Sequence, residues 1–222
     1  VSVDIAPYIA DDVGEKIKSS IIFGYNFDRT NSVIEPTSGF KFGVTQQFTG
    51  LGGDQTFSKT SVNLKSYTTL FNDDIILSAE LDAGAIAGSG ARISDRFFLG
   101  GDKLRGFEDY GIGPRDDTFG QALGGNMYAV ARLEASFPIG LPEEYGIFGG
   151  LFLDAGSVWG LDRVASTAFE GEAGSPKIRA AAGFSIFWKT AIGPLRFNFS
   201  RPIKKEDYDL EENFRFTIDT RF

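Results

Sequence analysis

The side chains available for chemistry in this sequence are carboxylates, amines, guanidinium groups and hydroxyls, because its 222 residues include no His and no Cys. The absence of His excludes a Ser-His-Asp triad, a His-ligated zinc and a His-based pH switch. The absence of Cys excludes thiol nucleophiles, disulfides and iron–sulfur ligation. We therefore expect a protein that is not an enzyme, with no catalytic residue, no metal site and no cofactor.

The carboxylates, glycines and basic residues that remain do not match a known catalytic or ligand-binding motif. Paired carboxylates occur at Glu143-Glu144 and Asp116-Asp117, but both pairs lie in predicted turns, where such pairs are usually solvated. A Gly-rich segment around residue 100 lacks the GxxxxGK[ST] pattern and the following helix that a phosphate-binding loop needs. Lys and Arg together number 22 against 30 Asp and Glu, a net charge of −8, which disfavours nucleic acid as a partner.

The elements that must position these groups are strands. Apolar residues alternate with small or polar ones along many segments, as Phe23, Tyr25 and Phe27 do along one of them. No run approaches the roughly 18 to 20 apolar residues of a membrane-spanning helix. About ten strands are predicted, at residues 1–9, 18–30, 40–49, 57–71, 74–87, 124–138, 145–154, 184–188, 195–200 and 213–222.

Strand length and connection length favour a transmembrane barrel over a soluble sandwich. Many strands reach the roughly 9 to 11 residues that cross a bilayer when tilted, and outer-membrane barrels have long outer loops and short periplasmic turns. The predicted connections from residue 88 onward alternate in this way, at 88–123, 139–144, 159–176, 189–193 and 202–211. This alternation leaves the C-terminus on the periplasmic side. The first half fits less cleanly, because the inner turn 31–39 is longer than the outer loop 50–56.

The longest connection, residues 88–123, combines many glycines with large apolar residues such as Phe97, Leu104 and Ile112. Loops of this length in a compact domain are usually functional or disordered. The apolar content argues against disorder, so we expect this loop to pack against the rest of the protein.

The same loop carries the residues of a family resemblance. Arg105-Gly106-Phe107, preceded by Asp95-Arg96-Phe97-Phe98-Leu99-Gly100-Gly101, resembles the [VL]RGF motif in the sixth extracellular loop of the BamA-type outer-membrane protein assembly factors. Further segments along nearly the whole chain are similar to that family in order and spacing. They are Tyr25-Asn26-Phe27-Asp28-Arg29, Pro36-Thr37-Ser38-Gly39, Ile112-Gly113-Pro114-Arg115-Asp116, Gly124-Gly125-Asn126, Leu133-Glu134, Phe137-Pro138, Asp154-Ala155-Gly156-Ser157-Val158-Trp159, Gly193-Pro194-Leu195-Arg196 and Phe222.

The resemblance implies an all-β fold and a domain assignment. Members of the family have an antiparallel transmembrane β-barrel of sixteen strands, preceded by periplasmic POTRA domains. Residues 1–222 are similar to about the last ten of these strands, so we expect the C-terminal portion of such a barrel without its first strands and POTRA domains. The chain opens with Val1 and no signal sequence, and we expect any targeting signal to have been removed or to lie outside it.

The resemblance further implies that the loop at about 88–123 folds back into the barrel lumen, where Arg105 contacts carboxylates of the inner wall. Glu134 and Asp154 lie on the polar faces of two consecutive predicted strands and are the candidates for this contact. A guanidinium group in a partly dehydrated lumen can form bidentate, charge-assisted hydrogen bonds to them. Loss of Arg105 would then cost on the order of 3 kcal/mol locally, since it leaves the carboxylates without a partner.

As a function, the resemblance implies insertion of nascent barrel proteins into the outer membrane of a Gram-negative bacterium, without ATP. The implied partners are unfolded outer-membrane protein clients, membrane lipids and, through the POTRA domains, accessory assembly lipoproteins. In the family the last strand forms one side of a lateral seam, and exposed strand edges are templates for pairing. The outward Phe214, Phe216 and Phe222 of the last strand also resemble the C-terminal signal of outer-membrane proteins.

Two other functions stay open from the sequence. A transporter of the TamA or two-partner-secretion type shares the RGF-type loop and the barrel, and the number of POTRA domains would distinguish it. A complete ten-stranded barrel that acts as a pore or a structural protein is also compatible with the strands, since even strand numbers from about eight upward occur. A start codon and a signal peptide just before Val1 would favour this second alternative.

Overall fold

The computed structural model describes residues 14–71, 74–116, 119–161, 175–190 and 193–218. These residues form one nine-stranded antiparallel sheet, in which each strand pairs with its neighbours in the chain. The strands are β1 (Lys18–Asp28), β2 (Gly39–Gly53), β3 (Thr56–Leu70), β4 (Ile75–Ser89), β5 (Met127–Pro138), β6 (Ile147–Trp159), β7 (Arg179–Thr190), β8 (Gly193–Lys204) and β9 (Phe214–Ile218). The all-β antiparallel fold predicted from the alternation is confirmed.

Helical structure in the described part is limited to two short 3-10 turns, Ile93–Asp95 and Glu143–Tyr145. Among the described residues, no helix has the length and apolar character needed to cross a membrane. The additional strand predicted at residues 1–9 and the end of the last strand, residues 219–222, lie outside the described residues.

The prediction of an outer loop at residues 50–56 is wrong, because most of these residues are strand. β2 continues to Gly53, and β3 follows after only two residues. Gly52 and Gly53 have φ angles of 120° and 108°, a region that favours glycine, and this lets the chain turn tightly. The carboxylate of Asp54 accepts a hydrogen bond from the Ile17 amide at 3.0 Å and fixes the turn. The sequence is misleading here because glycine is depleted in ordinary strands.

The long loop comprises residues 90–126 rather than 88–123, because β4 extends to Ser89 and β5 begins at Met127. The alternation of long and short connections after β4 is retained. The later connections are residues 139–146, 160–178, 191–192 and 205–213, of which 162–174 and 191–192 lie outside the described residues.

The two faces of the sheet differ in what covers them. The inner face packs against the long loop, and its side chains include Tyr128, Phe152 and Asp154, all buried. The opposite, outer face is apolar and exposed, with Leu133 at 53% and Leu151 at 57% exposure. Exposed apolar side chains on one face of such long strands are typical of a surface that contacts lipid.

The hydrophobic core lies between the inner face and the long loop. Its members are Phe97, Leu99, Leu104, Phe107 and Ile112 from the loop and Phe57, Ile86, Tyr128, Val130, Val158 and Ala181 from the sheet. Gly106 allows the close approach, since a Cβ atom at this residue would lie 2.7 Å from the Cβ atom of Ala181. The core therefore exists only while the loop lies against the inner face.

Phe107 tests this description of the core. The residue is 0% exposed, and its replacement with Ala should lower the free energy of unfolding by about 3 to 5 kcal/mol, because a fully buried ring is lost. The measurement is denaturant-induced unfolding of the full-length protein in detergent micelles. Phe119→Ala is the control, because Phe119 lies in the same loop but is 43% exposed. Equal stability of the two variants would contradict the assignment.

Candidate functional site

Arg105 is the centre of the candidate site. Its Nε and Nη2 atoms donate to the two carboxylate oxygens of Asp154, each at 2.7 Å, in a bidentate arrangement. The Arg105 amide donates to the same carboxylate at 3.2 Å, and the Nη1 atom donates to Glu134. Asp154 is 0% exposed and Arg105 is 6% exposed. The structure thus brings these three residues together away from solvent.

The strands place both acids on the inner face. Glu134 on β5 and Asp154 on β6 point inward because side chains alternate along a strand and their neighbours in this alternation are inward-facing. Phe152 is directly opposite Glu134 in the register of the two strands. The guanidinium carbon of Arg105 lies 3.6 Å from the centre of the Phe152 ring. The guanidinium group therefore stacks on an aromatic face while its edge binds the two acids.

A second arginine balances the charge of the site. Arg196 on β8 donates through Nη2 to Glu134 and, at 2.8 Å, through Nε to the side-chain oxygen of Asn198. The same oxygen of Asn198 accepts a hydrogen bond from Ser185 at 2.7 Å. We call Arg105, Glu134, Asp154 and Arg196 the arginine cluster. Its two cations and two carboxylates carry no net charge together, which reduces the cost of burying them.

The protonation of Arg105 follows from its surroundings. Burial alone would lower the pKa of Arg105, but the hydrogen bonds that Arg105 donates to Asp154 and the charges of Asp154 and Glu134 outweigh burial and raise the pKa. The guanidinium group therefore stays charged. Because the cation belongs to the long loop and the two acids belong to strands, this arrangement fixes the position of the long loop.

Further contacts tie the long loop to other strands. Asp95, near the start of the loop, forms an ion pair with Lys18 on β1, and its carbonyl accepts a hydrogen bond from Lys59 on β3 at 2.6 Å. Arg132 on β5 donates to the carbonyl of Asp102 at 2.9 Å. The loop is thus attached to strands along much of the sheet, and the arginine cluster is the most buried of these attachments.

The aromatic residues predicted in the last strand lie on the outer face. Phe214 and Phe216 of β9 are 49% and 46% exposed. Their rings lie 5.1 Å from those of Phe199 and Phe197 on β8, measured between ring centres. Phe222 lies outside the described residues. The role of these residues as a C-terminal signal stays a prediction.

Two further charged side chains are buried. The prediction for one of them was wrong, and the other was not predicted. Asp116, predicted to be solvated beside Asp117, is 0% exposed and accepts a hydrogen bond from the Phe119 amide at 2.7 Å. Arg179, also 0% exposed, donates through Nε and Nη2 to Asp209 at 3.0 Å each. No motif marks Arg179, and the segment that contains Asp116 gives no sign of its burial, because the burial of both groups depends on how the loops fold over the sheet.

The architecture and the site define the class of the protein. An antiparallel sheet with an exposed apolar outer face, and with an inner face of mixed polar and apolar side chains that holds a folded-back loop, is the architecture of a transmembrane β-barrel protein. The chain belongs to the Omp85 superfamily, because the family model of the Omp85 superfamily domain matches residues 3–222.

Similar proteins are found across bacteria and animals. The outer membrane protein assembly factor BamA of Neorickettsia risticii (strain Illinois) is 27% identical over 222 residues, which cover 99% of this chain and 29% of that protein. The sorting and assembly machinery component 50 homolog of Mus musculus is 34% identical over 164 residues, 69% of this chain and 34% of that protein. The crystal structure of BamA from Haemophilus ducreyi lacking POTRA domains 1–3 shares the fold, with a TM-score of 0.78 at 24% identity over 89% of this chain and 41% of that chain.

These comparisons confirm the resemblance to BamA-type assembly factors and the localisation in an outer membrane. The chain spans 29% of the length of the BamA relative from Neorickettsia risticii. The relatives are named as assembly factors and assembly machinery, so they do not favour the alternative of a TamA-type or two-partner-secretion transporter.

Substitution of Arg105 tests the arginine cluster. Arg105→Ala leaves Asp154 buried without a cation, and we expect the free energy of unfolding to fall by about 3 to 5 kcal/mol. Arg105→Lys should also destabilise the protein, because an ammonium group cannot bind both oxygens of Asp154 as a fork. The measurements are heat stability of the full-length protein in detergent micelles and the rate of proteolysis in the long loop.

Two controls accompany this experiment. Arg201→Ala should leave both measurements unchanged, since Arg201 on β8 is exposed. The double variant Arg105→Met with Asp154→Leu removes both charges and should recover part of the lost stability. Wild-type heat stability and loop proteolysis in Arg105→Ala would show that the cluster does not hold the loop.

Proposed function

We propose that this chain is the C-terminal barrel portion of an outer-membrane assembly factor that inserts unfolded β-barrel proteins into the membrane without ATP. Its relatives are named as an outer membrane protein assembly factor and as a sorting and assembly machinery component. The observation that carries the proposal is the position of β9, which pairs with β8 at the end of the described sheet and exposes Phe214 and Phe216 on the outer face. In the proposed mechanism the other edge of this strand receives the client.

An unpaired strand edge can template the addition of a further strand. Backbone N–H and C=O groups without partners are costly in lipid, where no water can satisfy them. An unfolded client segment that adds to the edge satisfies these groups together with its own. The free energy of pairing and of burial in lipid then drives insertion, and no nucleotide is needed.

The outer face next to this edge suits insertion beside lipid. Phe214, Phe216 and Ile218 of β9 are exposed on it, and the stacked rings of Phe184 and Phe199, 4.7 Å apart, continue it across β7 and β8. A client strand added to β9 would place its own outward apolar residues on the same lipid-facing surface. Unfolded outer-membrane proteins are therefore the substrates in this proposal, and lipids are the immediate surroundings.

The arginine cluster has a supporting role. It holds the long loop against the inner face, so that the strands behind β9 form a rigid scaffold for the edge. Accessory assembly lipoproteins, bound through POTRA domains of the whole protein, complete the proposed set of partners. No residue of this chain is assigned a catalytic role, and no cofactor is required.

The test is client folding into vesicles. The full-length protein is incorporated into vesicles of phosphatidylethanolamine and phosphatidylglycerol, and a urea-unfolded eight-stranded outer-membrane protein is added without ATP. Folding is followed by the heat-dependent shift of the client in gel electrophoresis. We expect folding to be at least about tenfold faster than in protein-free vesicles, which corresponds to ~1.4 kcal/mol of the activation barrier.

Vesicles that contain a passive barrel protein of similar size are the control for disturbance of the lipid. Arg105→Ala should reduce the acceleration, whereas Arg201→Ala should retain it. Client folding that is no faster than in the passive-barrel vesicles would refute the proposed function.

A further inference from the structure

The described part of the last strand, Phe214–Ile218, has β8 as its one strand neighbour among the described residues. A strand that has ladder hydrogen bonds on one side frays more easily than a strand between two neighbours, unless something else holds it. The contacts of its inner face are therefore informative.

The inner face of β9 presents Arg215 and Thr217 to the long loop. Arg215 donates through Nη1 to Asp109 at 3.3 Å and through Nε to Glu212 at 2.6 Å. Thr217 donates through Oγ1 to Asp102 at 3.3 Å. Arg215 Nη1 also lies 4.0 Å from Asp102 Oδ1, so both aspartates are loop partners of this arginine. The side chain of Arg215 is only 19% exposed, while those of Asp102 and Asp109 are 65% and 66% exposed. The strand thus reaches the loop through two successive inward side chains.

Gly101 leaves room for this contact. Its φ angle is 60°, and a Cβ atom there would lie 1.9 Å from Asp109 Oδ1 and 3.1 Å from Arg215 Nη1. Any side chain at this position would displace both partners of the ion pair. The absence of a side chain at Gly101 therefore leaves the space that Asp109 and Arg215 occupy.

The residues just before β9 pair with the same loop. The Glu108 amide donates to the Leu210 carbonyl at 2.9 Å, and the Glu212 amide donates to the Gly106 carbonyl at 3.1 Å. Gly106 directly follows Arg105. Backbone hydrogen bonds therefore connect the arginine cluster to the chain segment that leads into the last strand.

We infer that Arg215 is a positioning residue of the last strand: with Asp109 and Asp102 it fastens the inner face of β9 to the long loop and keeps the strand edge ordered for pairing. The effect of Arg215 on client pairing rests on the proposed function, whereas the attachment of β9 to the long loop does not. An edge that is already ordered loses less conformational entropy when a client strand pairs with it than an edge that frays.

The test compares Arg215→Gln with the matched control Arg201→Gln, both in the full-length protein in vesicles. Amide hydrogen exchange of residues 214–218 should be about fivefold faster in Arg215→Gln, as expected for the loss of a partly exposed charge contact, and unchanged in the control. Exchange in β4 should be unchanged in both, which separates local fraying from global unfolding. Asp109→Asn should also speed exchange in β9, and combining it with Arg215→Gln should add little.

Equal rates of amide hydrogen exchange in β9 of Arg215→Gln and Arg201→Gln would contradict the attachment of β9 through Arg215. Fully additive effects of Arg215→Gln and Asp109→Asn on this rate would contradict it as well. In the client-folding assay, Arg215→Gln should slow folding about threefold at unchanged heat stability. Faster exchange without slower client folding would overturn the role of Arg215 in client pairing. If the wild-type protein does not accelerate client folding, the proposed function fails, and the exchange result still decides the fastening.

Discussion

Asp154 has no exposure to solvent, and a carboxylate in that position is tolerated only when a cation and hydrogen-bond donors reach it. The cation comes from Arg105, which lies on a loop and not on a neighbouring strand, so the loop has to fold back onto the inner face. Glu134 joins Arg105 to Arg196, and the cluster therefore fixes the loop relative to β5, β6 and β8 at once. Much of the remaining architecture depends on this constraint.

The same loop also supplies one side of the hydrophobic core. A sheet whose outer face contacts lipid has only its inner face available for a core, and no second sheet covers that face in the described part of the chain. Leu104 and Phe107 of the loop supply the missing apolar layer, and Arg105 between them supplies the ionic contact. Apolar packing and charge pairing therefore cannot be separated in this protein: each requires the loop in the same place.

The position of β9 in the described sheet suits the proposed function. Strands β2 to β8 have a neighbour on each side and include those that carry the arginine cluster, whereas β9 pairs with β8 alone among the described residues. A templating edge must be available for pairing and yet ordered enough to set a register. Attachment of β9 to the long loop through its inner face provides order without occupying the edge.

The alternation of apolar and polar residues determined the strands, their two faces and the inward direction of Glu134 and Asp154, because side-chain direction in a strand depends only on local sequence. The family resemblance of the RGF motif added Arg105 as their partner. The contact of Arg196 with Glu134 and the Arg179 pair with Asp209 escaped prediction. Asp116 was predicted to be solvated but is buried, and residues 50–56 were misread as a loop because their glycines resemble turn residues. These features were decided by the tertiary structure, since they depend on which distant strands and loops meet across the inner face, and a local pattern does not contain that information.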